Sequence, residues 1–349
     1  MDKNMSEIKR KINDVVRLEE VLSEPTGKVL EMFMGMEGDV MILGIGGKMG
    51  PTLGRMAKRA MEQTARGGKV YGVSRFSDGG MQEKLNSWGI ETIAGDLLDD
   101  KFVDGLPRAK YVVYMSGMKF GATGQESLTW AMNTHLPARV CKKYKNSTIA
   151  AFSTGNVYGL VPVHSGGAIE SDVLNPCGEY AMSCLGRERM FEHFSQVNKT
   201  KMSILRLNYA CELRYGVLVD LATRIREGEV IDLGMPMANV IWQRDANAMA
   251  LLSLQDAGTP PYALNIAGPE QLSVRRAAQR LGELMGEEVK FGGEEGAEAI
   301  LSNGQMGHRR YGYPTMGIDE LMIHVADWVK GEQELLGKPT KYEVRSGKF

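Results

Sequence analysis

The apolar run Val40-Met41-Ile42-Leu43 is followed at once by glycines at 44, 47 and 50 and then by a helix-forming stretch from Gly50 to Glu62. A strand that turns through glycines into a helix is the opening unit of a sheet whose parallel strands are joined by helices. The alternation continues along the chain. Strands are predicted at Lys69 to Val73, Ile90 to Ile93, Tyr111 to Met115 and Thr148 to Phe152, with a helix over Gln125 to Tyr144. Apolar strands alternating with helices call for a doubly wound parallel sheet covered on both faces. After Leu205 the alternation loosens and glycine-rich segments separate the elements, which suits a smaller, interleaved C-terminal lobe.

The predicted division is an N-terminal helical extension (1–38), a dinucleotide-binding domain (39–205, rejoined by about 236–258), a substrate lobe (206–235 and 259–337) and a tail (338–349). In the extension, Ile8, Ile12, Val15, Val16, Val21 and Leu22 recur at near-helical spacing, implying an amphipathic helix. A second short helix is expected to start near Ser23 to Pro25, since proline suits a first helical turn.

Charge narrows the partners. With 42 basic and 43 acidic residues, nothing draws the chain to nucleic acid or an acidic membrane surface. Its apolar runs are strand-sized, well short of the ~20 residues that span a bilayer. Met1 to Glu20 is charged throughout, unlike a secretory leader. Cys141, Cys177, Cys184 and Cys211 lack the density of a secreted scaffold, and the five histidines lack ligand spacing, so no metal site is expected. A cytoplasmic protein with reduced thiols is the expectation.

In the segment Gly44 to Gly50, the glycines permit a tight turn and let backbone approach a pyrophosphate at the helix N-terminus. Gly44, Gly47, Lys48, Met49 and Gly50 are therefore the candidate cofactor cradle. The second strand should end beside the adenosine ribose, and there it reads Val73-Ser74-Arg75. An NAD-selective site would offer a carboxylate to the 2′-hydroxyl. Ser74 and Arg75 instead suit a 2′-phosphate, which favours NADP(H) over NAD(H). Asp96 and Leu97, after the third strand, are placed by the adenine.

Beyond this point the motifs resemble the extended short-chain dehydrogenase/reductase family, the NAD(P)-dependent sugar epimerases and dehydratases, over roughly residues 39 to 330. Tyr114-Met115-Ser116-Gly117-Met118-Lys119 resembles the segment after the fourth strand of UDP-galactose 4-epimerases, and Asn133 matches an asparagine of the following helix. Phe152-Ser153-Thr154-Gly155-Asn156-Val157-Tyr158-Gly159 resembles the S-[ST]-x-x-V-Y-G motif, and Glu170-Ser171-Asp172 the T-E-D element. Tyr180 and Glu188 match the catalytic tyrosine and a later glutamate. Leu205-Arg206-Leu207-Asn208-Tyr209 resembles R-x-x-N-x-Y, and Asp245 the last aspartate of V-D-D. The resemblance implies cofactor contacts from Ser116, Gly117, Lys119, Asn133 and Tyr180. It implies substrate contacts from Met118, Lys119, Thr154, Asn156, His164 and Asn208, with Thr154 and Tyr180 catalytic.

Hydride transfer at a carbinol carbon needs a proton acceptor at its oxygen. In the family the tyrosine serves, and a lysine four residues later lowers its pKa from about 10 toward neutrality. Here that position is Cys184, one helical turn from Tyr180. A tyrosine ~3 units less acidic forms its phenolate at a cost of about 4 kcal/mol more. Three readings stay open. A compensating cation (Lys119, Arg187 or Lys48) restores the function; Cys184 does acid–base or covalent chemistry of its own; or the site binds cofactor without effective turnover. Cys184 could equally be a small buried apolar residue.

The arginine that holds a diphosphate in nucleotide-sugar members is replaced by Ala238, which favours a smaller sugar, sugar acid or polyol. Arg214, Arg309 and Arg310 are alternative anchors for a carboxylate or phosphate. The expected function is an NAD(P)-dependent oxidoreductase or epimerase acting on a carbohydrate-like hydroxyl. The alternatives are a regulatory protein with a degenerate site, and a redox-neutral dehydratase or lyase. The resemblance also implies a homodimer, through the helices Gln125 to Tyr144 and Tyr180 to Phe194.

Overall fold

The structure is a computed structural model that describes residues 12–77, 79–119, 121 and 123–348. Seven parallel strands form the central sheet: β1 (Val40–Leu43), β2 (Val70–Ser74), β3 (Glu91–Ala94), β4 (Tyr111–Tyr114), β5 (Thr148–Thr154), β6 (Met202–Leu207) and β7 (Tyr262–Ile266). Their spatial order is 3-2-1-4-5-6-7. The order reverses between β1 and β4, and at such a switch point the loops at the carboxyl ends of the strands diverge to leave a crevice.

Both faces of the sheet are covered because its strands are apolar in both directions. Val40, Ile42, Val113, Phe152, Leu205 and Ile266 enter one core with the helices Gly27–Met34, Gly50–Gln63 and Gln243–Leu252. Met41, Leu43, Val112, Tyr114, Ile149 and Ile204 alternate with them into the opposite core, where Leu136, Val140 and Phe191 cover them. This two-residue period across the buried central strands is what a doubly wound sheet requires, while the edge strand β3 is partly exposed.

A third core lies outside the sheet. Helices Val217–Arg226, Val274–Met285 and Ile318–Lys330 pack there around Leu221, Leu281 and Val325, with Tyr342 of the C-terminal segment fully buried among them.

Of the two N-terminal helices, Val15–Leu22 buries Leu18 and Leu22 in that third core, whereas Gly27–Met34 packs Val29 and Phe33 under the sheet. Ile8 lies outside the described residues. The second helix begins after Thr26, whose hydroxyl accepts the Val29 amide at 3.3 Å, and not at Ser23 to Pro25. A hydroxyl cap that satisfies a free first-turn amide outweighs the preference of proline for a first turn. No helix among the described residues is long and apolar enough to cross a membrane.

Candidate active site

The turn after β1 is shaped by close approach. Gly44 has φ +91°, and a Cβ on it would stand 2.7 Å from the Ser116 hydroxyl and 2.8 Å from its amide. A Cβ on Gly46 would meet the Ser74 hydroxyl at 2.5 Å, and one on Gly50 would meet the Ile45 carbonyl at 2.2 Å. Only glycine fits these positions. The helix Gly50–Gln63 that follows has no side-chain cap and no acidic residue in its first turn. Its amides and dipole therefore face the crevice at the end of β1, an arrangement that fits a pyrophosphate. Lys48 lies over the Tyr215 ring at 3.2 Å, and burial, with Lys119 and Lys338 nearby, pushes its pKa down to about 7.

The opposite wall descends from β5 and the helix Gly178–Asn198. Thr154 closes β5, and its Oγ1 accepts from the amide and the side-chain nitrogen of Asn156 at 3.2 and 2.9 Å. The Tyr180 phenol is in hydrogen-bonding contact with both Thr154 and Cys184. Burial, reinforced by Cys184, drives the phenol well above its ordinary range, while Arg187 and Thr154 pull it back.

Cys184 has no exposed surface and packs with Val157, Tyr158 and Ala168. Burial likewise raises its thiol, against a pull from Arg187, so the side chain is neutral near pH 7.

Tyr180, Cys184 and Arg187 fall on one helical face, being four and seven residues apart. Arg187 is buried and firmly held. Nη1 donates to the Phe152 carbonyl at 2.9 Å and Nη2 to Asn133 Oδ1 at 2.6 Å. Asn133 sits on a π-helical turn, Ala131–His135, a distortion that re-aims side chains near functional sites. It also accepts the Met118 amide at 2.8 Å and donates to the Met118 carbonyl and the Ser183 hydroxyl, each at 2.9 Å. One buried asparagine thus ties the loop after β4 to the helix bearing Tyr180. Lys119, on that loop, stands 5.9 Å from the Tyr180 ring and donates to the Thr340 carbonyl at 3.2 Å. Burial depresses its pKa to about 8.

Between these walls lies a cavity of about 330 Å³, lined by Lys48, Lys119 and Arg187 with no carboxylate among the lining residues. Gly44, Gly47, Lys48, Met49, Gly50, Gly117, Met118, Lys119, Thr154, Asn156, Tyr180 and Asn208 all line it. Ser116 and Asn133 stand directly behind it. Arg75 and Asp96 are exposed and Leu97 is buried beyond the end of the sheet, with Ser74 beside the glycine turn; none of the four lines the cavity. His164 is exposed on a turn and does not reach the cavity either. Cys184 lies beneath its wall. Of the alternative anion anchors, Arg214 pairs with Glu212 and Glu19, each at 3.1 Å, Arg310 pairs with Asp256 at 2.7 Å, and Arg309 is exposed and does not line the cavity.

The remaining motif residues form a buried frame rather than a lining. Glu188 pairs with Arg206 at 2.9 Å and accepts the Ser153 hydroxyl at 2.5 Å. Arg206 reaches the Tyr158 hydroxyl at 2.8 Å, and Tyr158 donates to Asn265 at 2.7 Å.

Sequence reasoning missed Tyr209, Tyr215, Gln243 and Thr340 in the wall. Thr340 is brought in from the tail, anchored by its amide and hydroxyl on Asp220 Oδ2 at 2.8 and 2.5 Å. No local signal marks such a residue, because its place depends on a contact 120 residues away.

The chain belongs to the NAD dependent epimerase/dehydratase family, whose model matches residues 40–267. Solved structures of similar fold include the UDP-glucose 4-epimerase of Thermotoga maritima with UDP-glucose (17% identity, 84% of this chain and 99% of that one, TM-score 0.70). They also include the UDP-glucuronic acid 4-epimerase of Bacillus cereus with NAD (16%, 84% and 96%, TM-score 0.68). A third is DesIV, a dTDP-glucose 4,6-dehydratase of Streptomyces venezuelae with NAD and TYD bound (16%, 84% and 97%, TM-score 0.70). At these identities the likeness is one of fold. No curated protein matches the sequence.

Proposed function

We propose that this protein is an NAD(P)-dependent oxidoreductase or epimerase acting on a hydroxyl of a sugar, sugar acid or related polyol. The observation that carries the proposal is the contact between Thr154 and Tyr180 in a cavity whose other wall is the glycine turn of β1. A nicotinamide bound there supplies the hydride acceptor and donor. Gly44, Gly47 and the uncapped amides of the helix Gly50–Gln63 would hold its pyrophosphate, with Lys48 balancing the charge. Ser74 and Arg75, at the end of β2, favour NADP(H).

Thr154 orients the substrate hydroxyl, and the Tyr180 phenol takes or returns its proton. The positive charge that a lysine would place one turn after the tyrosine comes instead from Arg187, two turns along, with Lys119 5.9 Å from the phenol ring. Both favour the phenolate and offset part of the burial that opposes it. Cys184 is a packing residue that leaves Arg187 as the helix's cation.

The similar UDP-glucose 4-epimerase and dTDP-glucose 4,6-dehydratase support a carbohydrate substrate. Ala238, buried in a short ladder with Leu272, offers no diphosphate anchor, which supports a smaller one. The raised phenol favours a second reading, a cofactor-binding regulatory protein with a degenerate site.

The deciding experiment follows cofactor absorbance and product composition with a panel of sugars, sugar acids and polyols. Wild-type turnover that falls by ~10²–10⁴ in Tyr180→Phe, with cofactor affinity kept, is the expected result. Tight cofactor binding with neither redox change nor altered product across the panel would refute the enzymatic reading in favour of the regulatory one.

A further inference from the structure

A second and larger space, about 790 Å³, lies on the outer side of the helix Gly50–Gln63 and shares no lining residue with the active-site cavity. Its walls come from the helix Val15–Leu22, the turn that follows it, and the segment bearing Trp242 and Arg244. Five cations face it, Arg17, Arg55, Lys58, Arg59 and Arg244, against three carboxylates, Glu20, Glu24 and Glu62.

Each carboxylate is already taken. Arg17 pairs with Glu20 at 3.2 Å, Lys58 with Glu62 at 3.4 Å, and Arg59 with Glu24. Arg55 and Arg244 have no carboxylate within 4 Å among the described residues. Arg244 is 7% exposed, and its bonds run to neutral acceptors, from Nε to the Glu24 carbonyl at 2.9 Å and from Nη1 to the Thr315 hydroxyl at 3.1 Å. Arg55 lies over the Trp88 ring at 4.5 Å.

Arg244 and Arg17 are close enough to Arg59 that their charges, added to burial, depress its pKa. Arg244 thus sets a guanidinium with no carboxylate of its own beside the already paired Arg59, an arrangement that an anion in the groove would stabilise.

We propose that this groove is a second ligand site, for a small metabolite bearing two or more oxyanion groups, phosphate or carboxylate. Arg244 and Arg55 supply the uncommitted charge, and guanidinium forks match either group two oxygens at a time. Trp88 offers a flat apolar surface beside them. The site is independent of the hydride chemistry proposed above.

The test is calorimetric titration of the full chain with inorganic pyrophosphate and, separately, with citrate. One molecule of either probe per chain is expected in this groove, apart from any pyrophosphate that the glycine cradle takes, and which probe binds tighter tells phosphate from carboxylate ligands. Arg55→Ala and Arg244→Gln should each weaken that binding about tenfold, the worth of one charge-assisted contact. Lys48→Met, which alters only the cofactor cavity, should leave it unchanged. Arg55 is half-exposed, so its variant remains informative if Arg244→Gln does not fold. Absence of binding by both probes would overturn the proposal. So would binding that survives Arg55→Ala, or binding that is lost in Lys48→Met, which would place the anion in the cofactor cradle.

Discussion

Cofactor binding should take up protons, and this follows from two lysines held in an acid-free cavity. Lys48 titrates at about 7 and Lys119 at about 8, each depressed chiefly by burial, where an ordinary lysine titrates at 10.5. A pyrophosphate in the cradle supplies the negative charge that this cavity lacks and returns Lys48 toward its ordinary value. The sign follows directly. Below about pH 7 the lysine is protonated in both states and affinity is at its maximum. As pH rises through about 7, only the complex retains the proton, and the association constant falls by up to about tenfold per pH unit for each lysine so coupled. Between about pH 7.5 and 9, Lys48 alone should weaken binding roughly twentyfold, provided its value in the complex stays at or above about 10. The assay is titration of NADPH by fluorescence across that range, with calorimetry in buffers of different ionisation enthalpy to count protons. Lys48→Met should flatten the slope by about one proton and weaken binding at pH 7. An affinity independent of pH, or one that rises with it, would refute the reasoning.

On the packing role proposed for Cys184, Cys184→Ala should preserve turnover and lower stability by about 1 kcal/mol, read as a shift in Tm. Restoring the lysine of the family pattern should not help. Cys184→Lys places a second cation beside Arg187 in an apolar pocket, and a loss of about 2–4 kcal/mol with no gain in activity is expected. Higher activity in that variant would show that the position is merely degenerate. Glu188→Gln leaves Arg206 uncompensated in the frame behind the site and should cost about 3–5 kcal/mol in denaturant unfolding. A change below about 1 kcal/mol would mean that the pair contributes little to the frame.

Much of the sheet was legible in the sequence because its strands are short, apolar on both faces and punctuated by glycines that the turns require. Val40–Leu43 and the helix from Gly50 stand where the pattern puts them, whereas the boundaries of β2, β3, β4 and β5 differ by one or two residues. Strand ends are set by pairing across the sheet, which a local pattern does not carry. The crevice residues were legible because each lies in a motif, at the carboxyl end of a strand for Gly44 and Thr154 and in the first turn of a helix for Tyr180. His164 was assigned to the substrate on resemblance alone, and the turn that bears it faces outward. The frame of Glu188, Arg206, Tyr158 and Asn265 was visible as motif residues, but nothing in their spacing distinguishes a buried network from a lining. The wall contributed by Thr340, Tyr215 and Gln243, and the groove around Arg244, depend on contacts between distant segments and have no sequence signature of their own.

The measurement closest to the central claim is a fluorescence titration of the purified protein with NADPH and with NADH at pH 7. Saturable binding of one cofactor per chain is predicted, with NADPH the tighter, and Arg75→Ala should remove about tenfold of that advantage without touching NADH. Failure of both cofactors to bind would contradict the account at its base, since every step assigned to Thr154, Tyr180 and Arg187 assumes a nicotinamide in the cavity they line.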